Sequence, residues 1–505
     1  MSQTPERVRV SLSVDPRERQ GSGASEAPPF CVLVLGDFSA RGGGSVGEGV
    51  PLARRRPVPV RSVEDLLEKL QPTLDFTLEG PGQLRIDVRE LDDLHPDRLA
   101  ERMPHLRSLI EAIEPMVATH RQPRKEDDAG IEAQAATGPD AGAREAVSRE
   151  GLLDEIIEAT PSVEPAPAGG LPELEPWIRS VVAPHLQREE TEAQGELRER
   201  LEREAAEQVV RVLQAPVVRA FEGLLRSLLL LLSVADPSMG VRVHVLDLTR
   251  ADLEADLGRE DVEESALLRI LLEPLPGPCG ASSPALLVGA YEFGRSARDI
   301  ALLNRIAMIA HVVGAPWLSA AAPDLLGGPS FQSLDELDPD AEGTPAIWDA
   351  FRVTPAARSV GLASPPFLAR LPFGPTTDPC ELPFLEEVTH ASATEATKTS
   401  PDPYVWGNPA FMCAAALASS YQKHAWNLDP TGPAEFDSRP IHVLPGGEVG
   451  AHPTAAAWTA STVERVLRRG VMPLVTFPEE ARVRIPWIGP VAEPRGSLQA
   501  WWSTP

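Results

Sequence analysis

The chain has 505 residues, which is long enough for two or three domains with hydrophobic cores of their own. Its formal net charge of −27 at pH 7 argues against nucleic acid and against an anionic membrane as partners, because both would repel it. With 52 prolines and 38 glycines, the sequence also indicates sizeable irregular stretches beside the folded parts. No apolar segment is long enough to span a bilayer, and the first residues lack the apolar core of a secretory signal. We therefore expect a cytoplasmic protein without membrane insertion.

The first predicted element is a strand at Val8–Val14, where apolar and polar residues alternate as they do in a half-buried strand. A Gly/Ser-rich segment separates it from the rest of the chain. We therefore predict that this strand pairs with a distant segment or with another chain. Its apolar face consists of Val8, Val10, Leu12 and Val14.

Two strands and two helices follow within residues 1–117 and predict a small α+β domain. Ser62 precedes the first helix with Asp65 three residues later, which is an N-terminal capping pattern. The second helix carries its apolar residues on one side. The predicted bounds are Cys31–Leu35 and Leu84–Val88 for the strands, and Ser62–Leu70 and Asp97–Ile113 for the helices.

Residues 118–170 are predicted to be a disordered linker. From Ala118 to Glu150 there is no aromatic residue, and Ile131 and Val147 are the large aliphatic residues, so the stretch cannot bury enough surface to fold. Within the linker, Gly151–Thr160 predicts a short amphipathic helix with no neighbouring surface to cover its apolar face. Such a helix is typical of a recognition segment for a partner protein.

Residues 171–505 predict a larger domain built on a mixed sheet with flanking helices. Ser296 and Asp299 form a capping box for a helix that ends at Gly314, and strands on both sides of that helix predict a parallel or mixed sheet. A long charged helix at Glu196–Gln214 either packs one face on the core or forms a seam between subunits. The predicted strands are Val241–Leu248, Leu286–Phe293 and Trp317–Ala322.

No residue set in the sequence predicts catalysis, a cofactor or a metal. The segment GDFSARGGGS (Gly36–Ser45) lacks the GK[ST] ending of a phosphate loop and so predicts a flexible turn. The acidic run Asp338–Asp349 fits a solvated loop better than a calcium loop, because proline occupies its second position. Glu386 and Glu387 are adjacent and should point apart, unlike a catalytic pair of carboxylates.

The cysteines also lack the closely spaced pairs of a zinc site or a disulfide framework. They lie mostly inside apolar runs, which favours buried free thiols in a reducing compartment. They are Cys31, Cys279, Cys380 and Cys413.

We therefore expect that the chain is not an enzyme. An enzyme with a diffuse, unrecognised site in the larger domain stays open as an alternative, since some catalytic sets leave no local motif. A polar pocket with strongly shifted pKa values near Glu292 or Asp299 would support that alternative.

Short motifs in both halves carry the strongest sequence signal. VLGDFS (Val34–Ser39) and LDDLHPD (Leu91–Asp97) resemble motifs of the small subunit of the contractile sheath of the bacterial type VI secretion system. The second departs from the family, which prefers Phe at the position of Leu94. Three further motifs, GAYEF, RLPFG and WGN, are similar to motifs of the large sheath subunit and lie at Gly289–Phe293, Arg370–Gly374 and Trp406–Asn408. The chain thus resembles both subunits fused in one polypeptide, without the usual C-terminal region of the large one.

Taken with the residue patterns, the resemblance implies an α/β to α+β fold that is phage-tail-sheath-like. A small α+β domain (residues 1–117) would accompany a larger mixed-sheet domain with flanking helices (residues 171–505). The implied function is structural, as a fused sheath protomer that assembles around an inner tube. In the family, terminal strands are shared between protomers, which assigns that role to Val8–Val14 here.

The resemblance also implies the partners. These are other sheath protomers, the inner tube protein and an AAA+ ATPase that disassembles contracted sheaths, with baseplate components as a further candidate. Because much of the family's terminal strand set is absent, a non-polymerising adaptor or cap of the same apparatus is the alternative. The residues implied to contact the ATPase are Leu152, Leu153, Asp154, Glu155, Ile156 and Ile157.

Overall fold

The computed structural model describes most of the chain outside its N-terminus and the stretch 103–191. Its residues cluster into two units, one of residues 1–107 and 203–505 and one of residues 108–202. The strand predicted at Val8–Val14 and the helix predicted at Gly151–Thr160 lie outside the described residues. The described residues are 28–43, 50–78, 82–102, 192–259, 261–276, 282–337, 345–375, 377–380, 386, 404–428, 433–444, 447–477, 480–496, 498 and 502.

The described strands all belong to the first unit. They are β1 (Phe30–Gly36), β2 (Val58–Val60), β3 (Thr73–Leu78), β4 (Gly82–Asp87), β5 (Val241–Asp247), β6 (Leu286–Phe293), β7 (Trp317–Ala321), β8 (Val360–Ser364), β9 (Phe367–Arg370), β10 (Val405–Gly407), β11 (Ala434–Phe436), β12 (His442–Val443), β13 (Val449–Ala451), β14 (Val471–Pro473), β15 (Val475–Thr476) and β16 (Val483–Ile485).

The α-helices range from seven to 22 residues in length. Among the described helices, none combines the length and the apolar character that crossing a bilayer requires. They are α1 (Val63–Leu70), α2 (Pro96–Arg102), α3 (Glu192–Leu213), α4 (Pro216–Val234), α5 (Arg250–Leu257), α6 (Ala266–Leu272), α7 (Ala297–Val313), α8 (Ala346–Arg352), α9 (Pro409–His424) and α10 (Ala460–Arg468).

A seven-stranded mixed sheet in the order β14-β8-β7-β6-β1-β5-β2 forms the centre of the first unit. Neighbouring strands are parallel, except that β2 runs antiparallel to β5. All seven residues of β1 are buried, since strands flank it on both sides. This arrangement explains why its sequence, FCVLVLG, is a continuous apolar run.

Helices cover both faces of this sheet. On one face, Cys31, Leu33 and Leu35 of β1 join a hydrophobic core that includes residues of α5, α6 and α7. On the other face, Phe30 stacks on Tyr421 of α9, with ring centroids 5.2 Å apart. α9 also packs against α4 and against strands β6, β7 and β8. The result is a three-layer arrangement with the sheet in the middle.

Several local predictions are confirmed. β6 has the predicted bounds, and the side chain of Ser296 caps α7 by accepting the amide of Asp299 at 3.0 Å. α7 ends at Gly314, whose φ of +75° lies in the left-handed region that favours glycine. Ser62 likewise accepts the amide of Asp65 at the start of α1. The mixed α/β fold with a large mixed sheet is also confirmed.

Strands of the two segments belong to one sheet. Strands β1 and β2 come from the first segment, yet they flank β5 in the same sheet as the strands of the second segment. A strand buried on both faces and both edges, as β1 is, needs a neighbour on each side, and β5 and β6 of the second segment supply them. The boundaries predicted at 117/118 and 170/171 lie outside the described residues and stay predictions.

Candidate functional site: the contacts between the two segments

The GAYEF motif is part of the packing of the sheet. A Cβ on Gly289 would lie 2.1 Å from the ring of Trp317, so no larger residue fits there without displacing that ring. The indole N–H of Trp317 donates to Ser319 Oγ at 2.7 Å, and this hydroxyl donates to the Gly289 carbonyl at 2.8 Å. Tyr291 stacks on Trp317 and donates its hydroxyl to the carbonyl of Leu248. These contacts give the motif a structural role.

A buried ion cluster joins α4, the end of β9 and the segment that follows β9. Nε of Arg370 lies 2.6 Å from Glu222 Oε1, and its Nη1 lies 2.7 Å from Glu386 Oε2. Nη2 donates to both carboxylates, at 3.1 Å to Glu222 and 3.2 Å to Glu386. None of the three residues is more than 7% exposed, so water screens these charges little. Arg226 adds a second guanidinium 2.7 Å from Glu222, which balances two positive charges against two negative ones.

The pKa values in the cluster follow from this balance. Burial alone would raise the pKa of Glu222, but the guanidinium groups of Arg370 and Arg226 outweigh burial and lower it. Burial alone would likewise lower the pKa of Arg370, but Glu222 and Glu386 outweigh it and raise it. Ionised Glu222 therefore stabilises the folded state at pH values above 4.5, the ordinary pKa of a glutamate. This stabilisation is lost as the pH falls through the lower pKa that Glu222 has in the folded state.

The cluster also reaches the first segment through Phe373 of the RLPFG motif. The guanidinium carbon of Arg370 lies 4.2 Å from the centre of the Phe373 ring, and the Phe373 amide donates to Glu386 at 3.0 Å. The same ring meets the edge of His95 with centroids 4.9 Å apart. Since His95 belongs to the LDDLHPD motif, the two segments meet at residues that carry their sequence signals.

The glycine-rich loop after β1 makes a second contact between the segments. Its turn is closed by Asp37, which accepts the amides of Arg41 at 2.9 Å and Gly42 at 2.6 Å. The loop then binds Asp247 at the end of β5: Ser39 Oγ donates at 2.8 Å and Arg41 Nη2 at 2.7 Å. These hydrogen bonds pair the polar groups of the loop with other groups of the same chain.

A cleft of about 810 Å³ opens beside this loop, at the carboxyl ends of β1, β5 and β6. Partial desolvation raises the pKa of Glu292, which stays exposed at the edge of the cleft, and the neighbouring carboxylate of Asp324 adds to that effect while Arg250 opposes it. Burial also raises the pKa of Asp37. The apolar wall consists mainly of α4 residues, namely Pro216, Val217, Ala220, Phe221 and Leu224.

Arg250 pairs with acidic groups in and beside the cleft. Arg250 binds Glu254 at 3.0 Å and also binds Asp299 and the Glu292 carbonyl. Thr249 caps α5 by accepting the amide of Asp252. Among the described residues that line the cleft, two carry hydroxyl groups, and both hydroxyls have partners in the fold: Thr249 Oγ1 accepts the Asp252 amide, and the Tyr291 hydroxyl donates to the Leu248 carbonyl.

The adjacency of Glu386 and Glu387 predicts only that the two carboxylates point apart, so sequence reasoning missed the role of Glu386. In the structure it is buried against Arg370. One signal indicates such a partner, because Arg370 stands within an apolar run, where a buried positive charge needs an acidic group. The predicted partner-binding residues of Val8–Val14 and Leu152–Ile157 lie outside the described part of the chain, so their roles stay predictions.

The fold is a mixed α/β arrangement in which the motif residues pack, cap and pair. Comparison with known families gives the class: residues 196–483 match the VipB family, "EvpB/VC_A0108, tail sheath N-terminal domain", and residues 2–130 match "Type VI secretion system, VipA, VC_A0107 or Hcp2". The chain belongs to the VipB tail sheath family, whose model covers more than half of it, and it carries a VipA-type segment before that part.

A curated relative points to the same system. The chain is similar to the type VI secretion system sheath protein TssC1 of Pseudomonas aeruginosa, with 29% identity over 253 residues. The match covers 46% of this chain and 48% of the relative. The chain thus spans about half the length of the curated relative that it matches.

Replacing Arg370 tests the ion cluster. Arg370→Met should lower the free energy of unfolding by about 3–5 kcal/mol, because it leaves Glu386 buried without the guanidinium that neutralises it and leaves Glu222 with Arg226 alone. Urea denaturation followed by circular dichroism measures the change. The control is Arg484→Met, which removes an exposed ion pair with Glu435 and should cost less than about 1 kcal/mol. Equal losses in the two variants would contradict the assigned role of the cluster.

Proposed function

We propose that the chain is a structural component of a type VI contractile sheath, a fused protomer that assembles with like protomers around an inner tube. The observation that carries this proposal is the central position of β1, which comes from the VipA-type segment and lies within the sheet of the VipB-type segment. One chain thereby supplies both kinds of sheath subunit in a single folded unit.

The energy for sheath contraction resides, in this proposal, in packing and shared strands between protomers. The matched families are structural sheath proteins, which supports a role without catalysis. Contraction would then need no hydrolysis by this chain. The protein works in the cytoplasm, where the sheath meets the other partners.

Those partners are neighbouring protomers, the inner tube protein and an AAA+ ATPase that recycles contracted sheaths, with baseplate components as a further candidate. Neighbouring protomers would pair through the Val8–Val14 strand. The ATPase would bind the helix at Gly151–Thr160, whose short apolar face suits a groove on a partner.

The proposed sharing of the Val8–Val14 strand between protomers predicts that the chain assembles into tubules. The purified chain, mixed with its inner tube protein, should form sedimenting hollow tubules in negative-stain micrographs. Val10→Asp with Leu12→Asp should abolish them, because each charge would be placed on the apolar face that is buried in the neighbouring protomer. Ser11→Asp changes the opposite face of the same strand and should leave tubules intact. Discrete particles from the unmodified chain would refute polymerisation and favour the adaptor or cap.

The proposed role of the Gly151–Thr160 helix predicts that the ATPase binds the chain through this helix. Leu153→Asp with Ile156→Asp should weaken binding of the ATPase at least about 30-fold, since the loss of a hot spot costs 2 kcal/mol or more. Glu158→Gln, on the same helix but outside the implied contact set, is the control. Surface plasmon resonance with the immobilised full chain measures both. Undiminished binding of the double variant would rule out this segment as the contact.

A further inference from the structure

Three side chains of metal-binding types converge where the two segments meet. His95 and Asp97 lie at the end of the LDDLHPD motif, and Cys380 lies six residues after the RLPFG motif. One ligand atom of each lies within 4.8 Å of the ligand atoms of the other two. All three residues are partly buried, so the cluster differs from a group of fully exposed acidic residues.

The geometry of the first pair is close to that of a metal site. His95 Nδ1 lies 3.6 Å from Asp97 Oδ2. Two ligands at about 2.1 Å from a tetrahedral zinc ion lie about 3.4 Å apart, so this pair needs little movement. Nδ1 accepts the amide of Asp97 at 3.3 Å, which places the lone pair of the imidazole on the nitrogen that would bind the ion. The ion would replace this long hydrogen bond.

The charges around Cys380 favour a cation. The carboxylates of Asp97 and Asp378 act on its sulfur. Their negative charges attract a divalent ion, which displaces the thiol proton to solvent as the sulfur–metal bond forms. The positive charge nearby is the guanidinium of Arg370, which is already paired with two carboxylates.

We propose that His95, Asp97 and Cys380 bind a zinc ion. One nitrogen, one oxygen and one sulfur ligand form a set that zinc accepts, and the carboxylate of Asp378 or a water molecule would complete a tetrahedron. The site escapes a search for closely spaced cysteines, because one of its ligands lies 283 residues from the nearest other in sequence. When bound, the ion links the VipA-type segment to the VipB-type segment beside the His95–Phe373 contact.

Cobalt(II) is the probe that tests the site. The full chain titrated with cobalt(II) should develop a thiolate-to-cobalt charge-transfer band in the near ultraviolet, and zinc should abolish that band by displacement. Cys380→Ser should remove the band. His95→Phe, which keeps a ring against Phe373, and Asp97→Asn should each weaken cobalt binding by more than about 100-fold. Losing a residue that only hydrogen-bonds a metal ligand already lowers metal affinity about 10–100-fold.

Cys413→Ala is the matched control, because this thiol is buried in α9 and should not contribute to the band. If Cys380→Ser does not fold, as judged by circular dichroism, His95→Phe decides the question. No band in the unmodified chain, or a band of equal strength in Cys380→Ser or in folded His95→Phe, would overturn the proposal.

Discussion

The guanidinium of Arg370 is buried between two carboxylates, and its position constrains three parts of the chain at once. α4 supplies Glu222, β9 supplies Arg370, and the segment after β9 supplies Glu386. Displacing Arg370 would leave Glu386 buried without its counter-charge, and displacing either carboxylate would leave the buried cluster with an excess positive charge; such imbalances cost several kcal/mol. Phe373 extends the constraint to His95 in the first segment. The cluster thus specifies one arrangement of these parts, whether or not it adds net stability over an apolar core of the same volume.

The second constraint is the complete burial of β1. A seven-residue apolar strand is stable only if both of its edges are paired and both of its faces are covered, and here β5, β6 and the flanking helices supply that environment. The VipA-type segment is therefore part of the fold of the VipB-type segment. Joining the two in one polypeptide guarantees equal amounts of both and raises the effective concentration of each for the other.

Local signals in the sequence were sufficient for individual elements. Alternation and burial patterns placed β6, and the Ser296 cap with Gly314 placed both ends of α7, because the residues that decide these features are close in sequence. The shared sheet was not predictable, since an apolar run indicates that β1 is buried but not which strands flank it. Glu386 was missed for the same reason, because its charge partner Arg370 lies 16 residues away, and the other carboxylate of the cluster, Glu222, lies 148 residues from Arg370. Residue patterns within a short segment therefore do not indicate which distant strands or charged groups pair with it.

The central claim is that the two sheath-like segments form one folded unit. A protease site inserted between Ala118 and Glu150 allows the folded chain to be cut at one place, and size-exclusion chromatography then measures whether the fragments stay together. A shared sheet predicts that both fragments co-elute after cleavage and separate only in a denaturant that also unfolds them. Two fragments that elute apart in native buffer, each with its own cooperative unfolding transition, would contradict the claim.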